Sequence, residues 1–221
     1  MIFSKSYLSK IFIILFHIIG FVGFYFNETR GFFISLVPFH LLFMAGILFA
    51  NYVTISKKTI YATMIVVLAG YLVEVIGVKT GQIFGFYYYG ATLGVKLLTV
   101  PLIIGVNWFI VVFSLGGILR SVFKRNKVIR TFIGAAIILV GLDFLIEPVA
   151  IEYDYWSWQN NTIPIQNYVG WFLVSLVMMA FYNYYDFKKT NPVAKTLFLS
   201  QLMFFVFLNV APILKKMVLL L

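Results

Sequence analysis

Asp143 and Glu147 stand four residues apart at the end of an apolar run that begins near Ile129, with Pro148 directly behind them. On a helix this spacing puts both carboxyls on one face, about 6 Å apart along the axis, and the proline marks a place where the helix can end. A carboxylate at the centre of a bilayer costs about 2.5–3.5 kcal/mol, so two of them together call for a function. The acidic and aromatic character continues past the proline with Glu152, Asp154, Trp156, Trp158 and Trp171, and no Lys or Arg occurs between Gly141 and Trp171. Two carboxylates so close cannot both ionise cheaply in a low dielectric, so one of them is expected to keep its proton. An un-ionised carboxylic acid beside Trp and Tyr faces suits the protonation of an alkene, because the ring quadrupoles stabilise the cation that forms. The second carboxylate, or Glu74, is then available to orient or deprotonate a water. A proton relay in a transporter needs the same kind of group, and the residues alone leave both readings open.

The elements that must hold these groups are set by composition. The chain has 221 residues, 62% of them hydrophobic and 11% charged, with a mean hydropathy of +1.00. A soluble domain could not cover such a surface with polar groups, so this is an integral membrane protein. Apolar runs between charge clusters predict an all-α polytopic bundle of about seven transmembrane helices, near 11–26, 31–50, 59–78, 97–119, 129–147, 168–185 and 196–214. The whole of 1–221 reads as one integral membrane domain, and the segment after Lys5 and Lys10 as its first span, since no small-residue cleavage site follows it.

The net charge of +10 belongs to helix ends and topology, and nucleic acid is not an expected partner. One side carries Lys5, Lys10, Lys57, Lys58, Arg120, Lys124, Arg125, Lys127, Arg130, Lys188, Lys189 and Lys195; the other carries Arg30, Lys79, Lys96, Lys215 and Lys216. The positive-inside rule then places the N-terminus in the cytoplasm and the C-terminus outside, in the cytoplasmic membrane. With that orientation Glu74, Asp143 and Glu147 all fall about a turn before the outer ends of their helices, at similar depth. The two longest outer loops hold Tyr87, Tyr88, Tyr89, Tyr153, Tyr155, Trp156 and Trp158, about half of which are expected to form an interfacial belt.

Other motifs carry less. Gly77, Gly81 and Gly85 at four-residue spacing suggest a small-residue helix contact, and Gly77-Val78-Lys79-Thr80 lacks the approach of a phosphate loop. His17 and His40, in the first two spans, are expected to make interhelical hydrogen bonds rather than bind metal. No lysine lies mid-span for a Schiff base. Asp143 and Glu147 make only half of a paired, diphosphate-binding acidic motif, and no cation cluster faces them. There is no cysteine, which excludes disulfides, cysteine-ligated clusters and a thiol nucleophile.

Two signatures resemble those of the carotenoid biosynthesis membrane-protein family, which includes the bisanhydrobacterioruberin and γ-carotene hydratases. The first runs from Glu74 through Gly77, Thr80-Gly81, Phe84-Gly85, Tyr87 and Tyr89, then Leu93-Gly94, Val100-Pro101 and Asn107-Trp108. The second comprises Asp143, Glu147-Pro148, Trp156-Ser157-Trp158, Pro164, Asn167-Tyr168 and Gly170-Trp171. Together they cover about residues 70–175. Glu147 stands where the pattern has Asp, and Asn107 where it has a small or apolar residue; both differences bear on the end group accepted. The resemblance implies addition of water to the terminal double bond of an acyclic, lycopene- or γ-carotene-like end group, with no cofactor or metal. It also implies other carotenoid enzymes as partners beside the lipid bilayer. On this reading Asp143, Glu147 and Glu74 are catalytic, and Tyr87, Tyr89, Asn107, Trp108, Trp156, Trp158, Asn167 and Trp171 bind substrate. A carotenoid cyclase, which begins with the same protonation, and a proton-coupled isoprenoid carrier are the alternatives.

Overall fold

The computed structural model describes residues 3–122, 128–185 and 191–218. In chain order the helices are α1 (Lys5–Tyr25), α2 (Asn27–Ser35), α3 (Val37–Ala50) and α4 (Lys57–Thr80), then α5 (Ile103–Val122), α6 (Val128–Glu152), α7 (Ile165–Tyr184) and α8 (Ala194–Val218). Between them lie four short strands, β1 (Tyr87–Tyr89), β2 (Lys96–Leu97), β3 (Val100–Pro101) and β4 (Trp156–Trp158). The protein is an all-α, membrane-type bundle. Lys124, Arg125, Lys127, Lys188 and Lys189, which entered the orientation argument, lie outside the described residues.

Among the described residues, five helices are long and apolar enough to cross a bilayer: α1, α4, α6, α7 and α8. The segment expected at 31–50 is broken, with α2 and α3 meeting at a 58° bend; Pro38 in the first turn of α3 starts a new helix there more easily than it continues an old one. The segment expected at 97–119 is not helical at its start. Residues 96–101 form the β2–β3 hairpin, turned by Leu98 and Thr99 at positive φ, and α5 begins only at Ile103. Pro148 does not end α6, which continues to Glu152. A proline removes one backbone bond, whereas stopping the helix in an apolar layer would leave several groups unpaired.

Helix α5 runs through the middle, packed against α3, α4, α7 and α8, while α4 pairs with α5, α6 with α7, and α1 with α8. Its residues Trp108–Leu115 are almost wholly buried. Helix α4 starts at a capping box formed by Ser56 and Thr59 and ends at Gly81, whose φ of +66° is left-handed; that glycine turns the chain back over the end of the bundle. Gly81 and Gly85 therefore lie in the connection after α4, not on a helix face with Gly77 as their spacing suggests.

The two long connections, after α4 and after α6, meet. Strands β1 and β4 pair antiparallel, with Tyr87 opposite Trp158, Tyr88 opposite Ser157 and Tyr89 opposite Trp156. Alternate residues of a strand share a face, so one face presents two tyrosines and two tryptophans. Of the aromatics proposed for an interfacial belt, Tyr88 alone is exposed, at 59%; Tyr87, Tyr89, Tyr153, Tyr155 and Trp158 are buried and Trp156 is half-buried. The pairing turns them inward.

Candidate active site

Glu74, on α4, is buried and accepts three hydrogen bonds. Tyr87 and Tyr89 donate their hydroxyls to Oε2 at 2.5 and 2.8 Å, and the Trp108 indole donates to Oε1 at 3.0 Å. Burial, and then the adjacent Glu74 charge, push both phenols well above their ordinary range, so they stay neutral donors.

Glu147, on α6, is held in the same manner by the other strand. Trp156 and Trp158 donate their indole N–H groups to its Oε2 at 3.1 and 2.9 Å. Asn167, on α7, donates its side-chain amide to Glu147 Oε1 at 3.1 Å and to Asp143 Oδ2 at 2.8 Å. Hydrogen bonds to charged groups contribute about 1.5–3 kcal/mol each, and these offset the cost of burying carboxyls among helices. Asp143 Oδ1 is buried with no hydrogen-bond partner among the described residues. The paired strands bring the two sets together, since Tyr87, which bonds Glu74, lies opposite Trp158, which bonds Glu147.

Nine of the eleven residues singled out in the sequence line one cavity of about 30 Å³: Glu74, Tyr87, Tyr89, Asn107, Trp108, Trp156, Trp158, Asn167 and Trp171, with Phe84 and Ile104 completing it. Trp108 and Trp171 stack at 4.6 Å between centroids, and Tyr87 lies 5.2 Å from the Trp158 ring. Asp143 and Glu147 are not on this wall; they sit behind Asn167 and the two β4 indoles that bond them. The volume is about one water's share of liquid.

Several residues that build the site gave no chemical signal in the sequence. Gly70 lets the Trp108 side chain approach α4, since a Cβ there would lie 2.5 Å from Trp108 Cβ. Gln166 donates to the carbonyls of Gly81 and Gln82, and Asp154 accepts from Ala91 N at 2.8 Å, tying the two long connections together. Asp154 belongs to the acidic stretch, yet its work here is backbone capping. Lys96 donates to Tyr89 O at 2.6 Å. Small residues inside apolar helices and polar residues in turns are the only hints such roles leave.

His17 and His40 face one another edge-on at 4.8 Å. Instead of the interhelical bond expected of it, His17 uses Nδ1 on Ile13 O, one turn back in its own helix, at 2.7 Å. A carbonyl only accepts, so Nδ1 carries the proton. Both histidines line a second, larger cavity of about 480 Å³ between α1, α3, α5, α6 and α8. Ile104, Asn107 and Trp156 belong to the walls of both cavities.

Comparison with known proteins agrees with the motifs. The family described as carotenoid biosynthesis protein matches residues 35–220. A bisanhydrobacterioruberin hydratase from Haloarcula japonica is 28% identical over 142 residues, covering 59% of this chain and 46% of that protein. The chain thus spans about half the length of that relative. No solved structure matches the chain significantly. With 186 consecutive residues matched, the chain belongs to the carotenoid biosynthesis protein family.

Proposed function

We propose that this protein is a carotenoid hydratase, adding water across the terminal trisubstituted double bond of an acyclic, lycopene- or γ-carotene-like end group. The observation that carries the reading is a water-sized cavity beside Glu74, walled by indoles and phenols, which adjoins a large apolar cleft. Its family membership and the hydratase relative support the same class of chemistry.

The proton begins on the Asp143 and Glu147 pair. Asp143 Oδ1 is the place for it, because that oxygen has no donor among the described residues, whereas both oxygens of Glu74 and of Glu147 already accept N–H or O–H groups. With the Asp143 carboxyl turned past Asn167 to the Trp156 throat, transfer to the CH carbon of an alkene held there breaks the π bond and leaves a tertiary cation against the Trp156 ring, next to the water-sized cavity. Water beside Glu74 bonds to the cation through oxygen. Glu74 takes the surplus proton and later gives it up to water, while Asp143 regains one from water, so the only net change is the added water. The walls supply electrostatic stabilisation without reorganising. No cofactor enters these steps.

A cyclase would start with the same protonation but must keep water from the cation, and a water-sized space against a carboxylate acceptor favours hydration. The N-terminal side faces the cytoplasm on the distribution of cations, which sets the carboxyl layer in the outer leaflet. Expression in cells that make lycopene or γ-carotene, followed by pigment mass analysis, tests the function. A product heavier by one water is expected; unaltered pigment with folded protein present rules the reading out, and an isomer of unchanged mass points to the cyclase.

A further inference from the structure

The reacting group accounts for one end of a long substrate, and the small cavity has no room for the rest. The larger cleft begins where that cavity ends, at Ile104, Asn107 and Trp156. Its wall is almost entirely aliphatic and aromatic, including Phe24, Leu142, Ile146 and Phe204. About 480 Å³ lies within the range of sites that enclose a small apolar ligand.

The cleft also has an opening. Phe16 and Ile19 of α1, and Phe39 and Phe43 of α3, line it while remaining exposed, Phe39 to 67%. Leu36 and Val37, at the 58° bend between α2 and α3, line it too. The break in that helical pair thus leaves a gap on the side of the bundle that faces lipid.

Its direction follows from α8. Asn209 donates to Leu145 O, between Asp143 and Glu147, at 2.8 Å, which puts Asn209 level with the carboxyl pair. Gln201, on the cleft wall, is eight residues earlier and so about 12 Å lower along the helix. It is buried with Oε1 unpartnered among the described residues, and with His17 and His40 it forms a polar inner end. The apolar length between carboxyls and this end is about 12 Å, running toward the middle of the bundle.

We infer that the cleft between α1, α3 and α8 is the seat of the substrate's polyene arm: a linear isoprenoid chain enters sideways from lipid between α1 and α3, and lies end-first against the Ile104, Asn107 and Trp156 throat. This rests on the hydratase reading for the identity of the reacting end, but the binding it describes is measured separately from turnover. The alkene end stops at the throat, and the small cavity beyond it holds the water.

Gly20 lies on the cleft wall, where an added Cβ would stand 3.4 Å from the Phe204 ring. Gly20→Phe fills the cleft, and Gly46→Phe, at an α3 glycine with nothing within 4 Å and off the cleft wall, controls for bulk. Both are purified in detergent from lycopene-producing cells, and bound pigment per protein is read from visible absorbance. Gly20→Phe should lower bound pigment roughly tenfold, the scale of an overpacking penalty, while Gly46→Phe keeps it. Equal pigment in both overturns the assignment.

Should Gly20→Phe fail to fold, the absence of cysteine supplies a second route. Gly20→Cys is labelled with an apolar maleimide in membranes with and without lycopene, beside Tyr61→Cys on the exposed face of α4. Protection by lycopene of the first thiol and not the second supports the seat; equal labelling of Gly20→Cys in both membranes overturns it. Wild-type protein that binds lycopene and γ-carotene in this way without hydrating either would refute the hydratase reading and leave the seat standing.

Discussion

Asn167 shares one side-chain amide between Asp143 and Glu147, at 2.8 and 3.1 Å, and so holds together two carboxyls that would repel if both were charged. The linkage joins α6 to α7 at the depth where β4 folds back over the bundle. Without the amide, two buried acceptors lose a donor they cannot replace with water.

Asn167→Leu removes both bonds while keeping the branched shape of the side chain. Leaving buried acceptors unpaired costs about 1–3 kcal/mol each, so a lower midpoint of thermal unfolding in detergent is expected together with loss of most product. Unchanged stability and pigment conversion would mean that the amide is not what holds the pair.

Glu74→Gln replaces one acceptor oxygen by an NH2 group in front of three donors. Tyr87 and Tyr89 can rotate their hydroxyls to accept, but the Trp108 indole only donates. Loss of a positioned acid–base group lowers rates by about 10²–10⁴-fold, so conversion measured by pigment chromatography should fall at least that far while the protein still accumulates in membranes.

The two faces of β1 should separate cleanly. Tyr87→Phe deletes a hydrogen bond to Glu74 and is expected to cut turnover by about tenfold or more, in line with a charge-assisted bond of about 1.5–3 kcal/mol. Tyr88→Phe, on the exposed face, should leave turnover within error of wild type.

Gly70→Ala places a methyl group 2.5 Å from Trp108 Cβ. Overpacking of this kind costs about 1–3 kcal/mol, and Trp108 must move away from both Glu74 and Trp171. Reduced thermal stability and reduced conversion should appear together, and intrinsic tryptophan fluorescence should shift; a silent substitution would show that the close approach is dispensable.

Much of this was legible in the residues because charge in an apolar layer is costly and therefore informative. Glu74, Asp143 and Glu147 stood out for that reason, whereas Tyr87, Tyr89, Trp156 and Trp158 read as loop aromatics and no strand was expected. What could not be read was that these strands pair with each other, because a two-stranded ladder across nearly seventy residues leaves no local pattern. The bend before α3, the late start of α5 at Ile103 and the continuation of α6 through Pro148 depend on tertiary packing in the same way. Hydropathy finds where helices belong but not where they break. His17 shows a further limit, since its bond to Ile13 O is satisfied within its own turn and needs no partner helix.

Water labelled with heavy oxygen puts the proposed chemistry to its most direct trial. Membranes containing the protein and lycopene or γ-carotene are incubated in it, with wild type beside Asp143→Asn and Glu147→Gln. The labelled oxygen should appear in a product tertiary alcohol with wild type and be absent with either variant, although all three proteins are present and folded. Conversion without label, or full labelling in both variants, would contradict the assignment of water addition to these carboxyls.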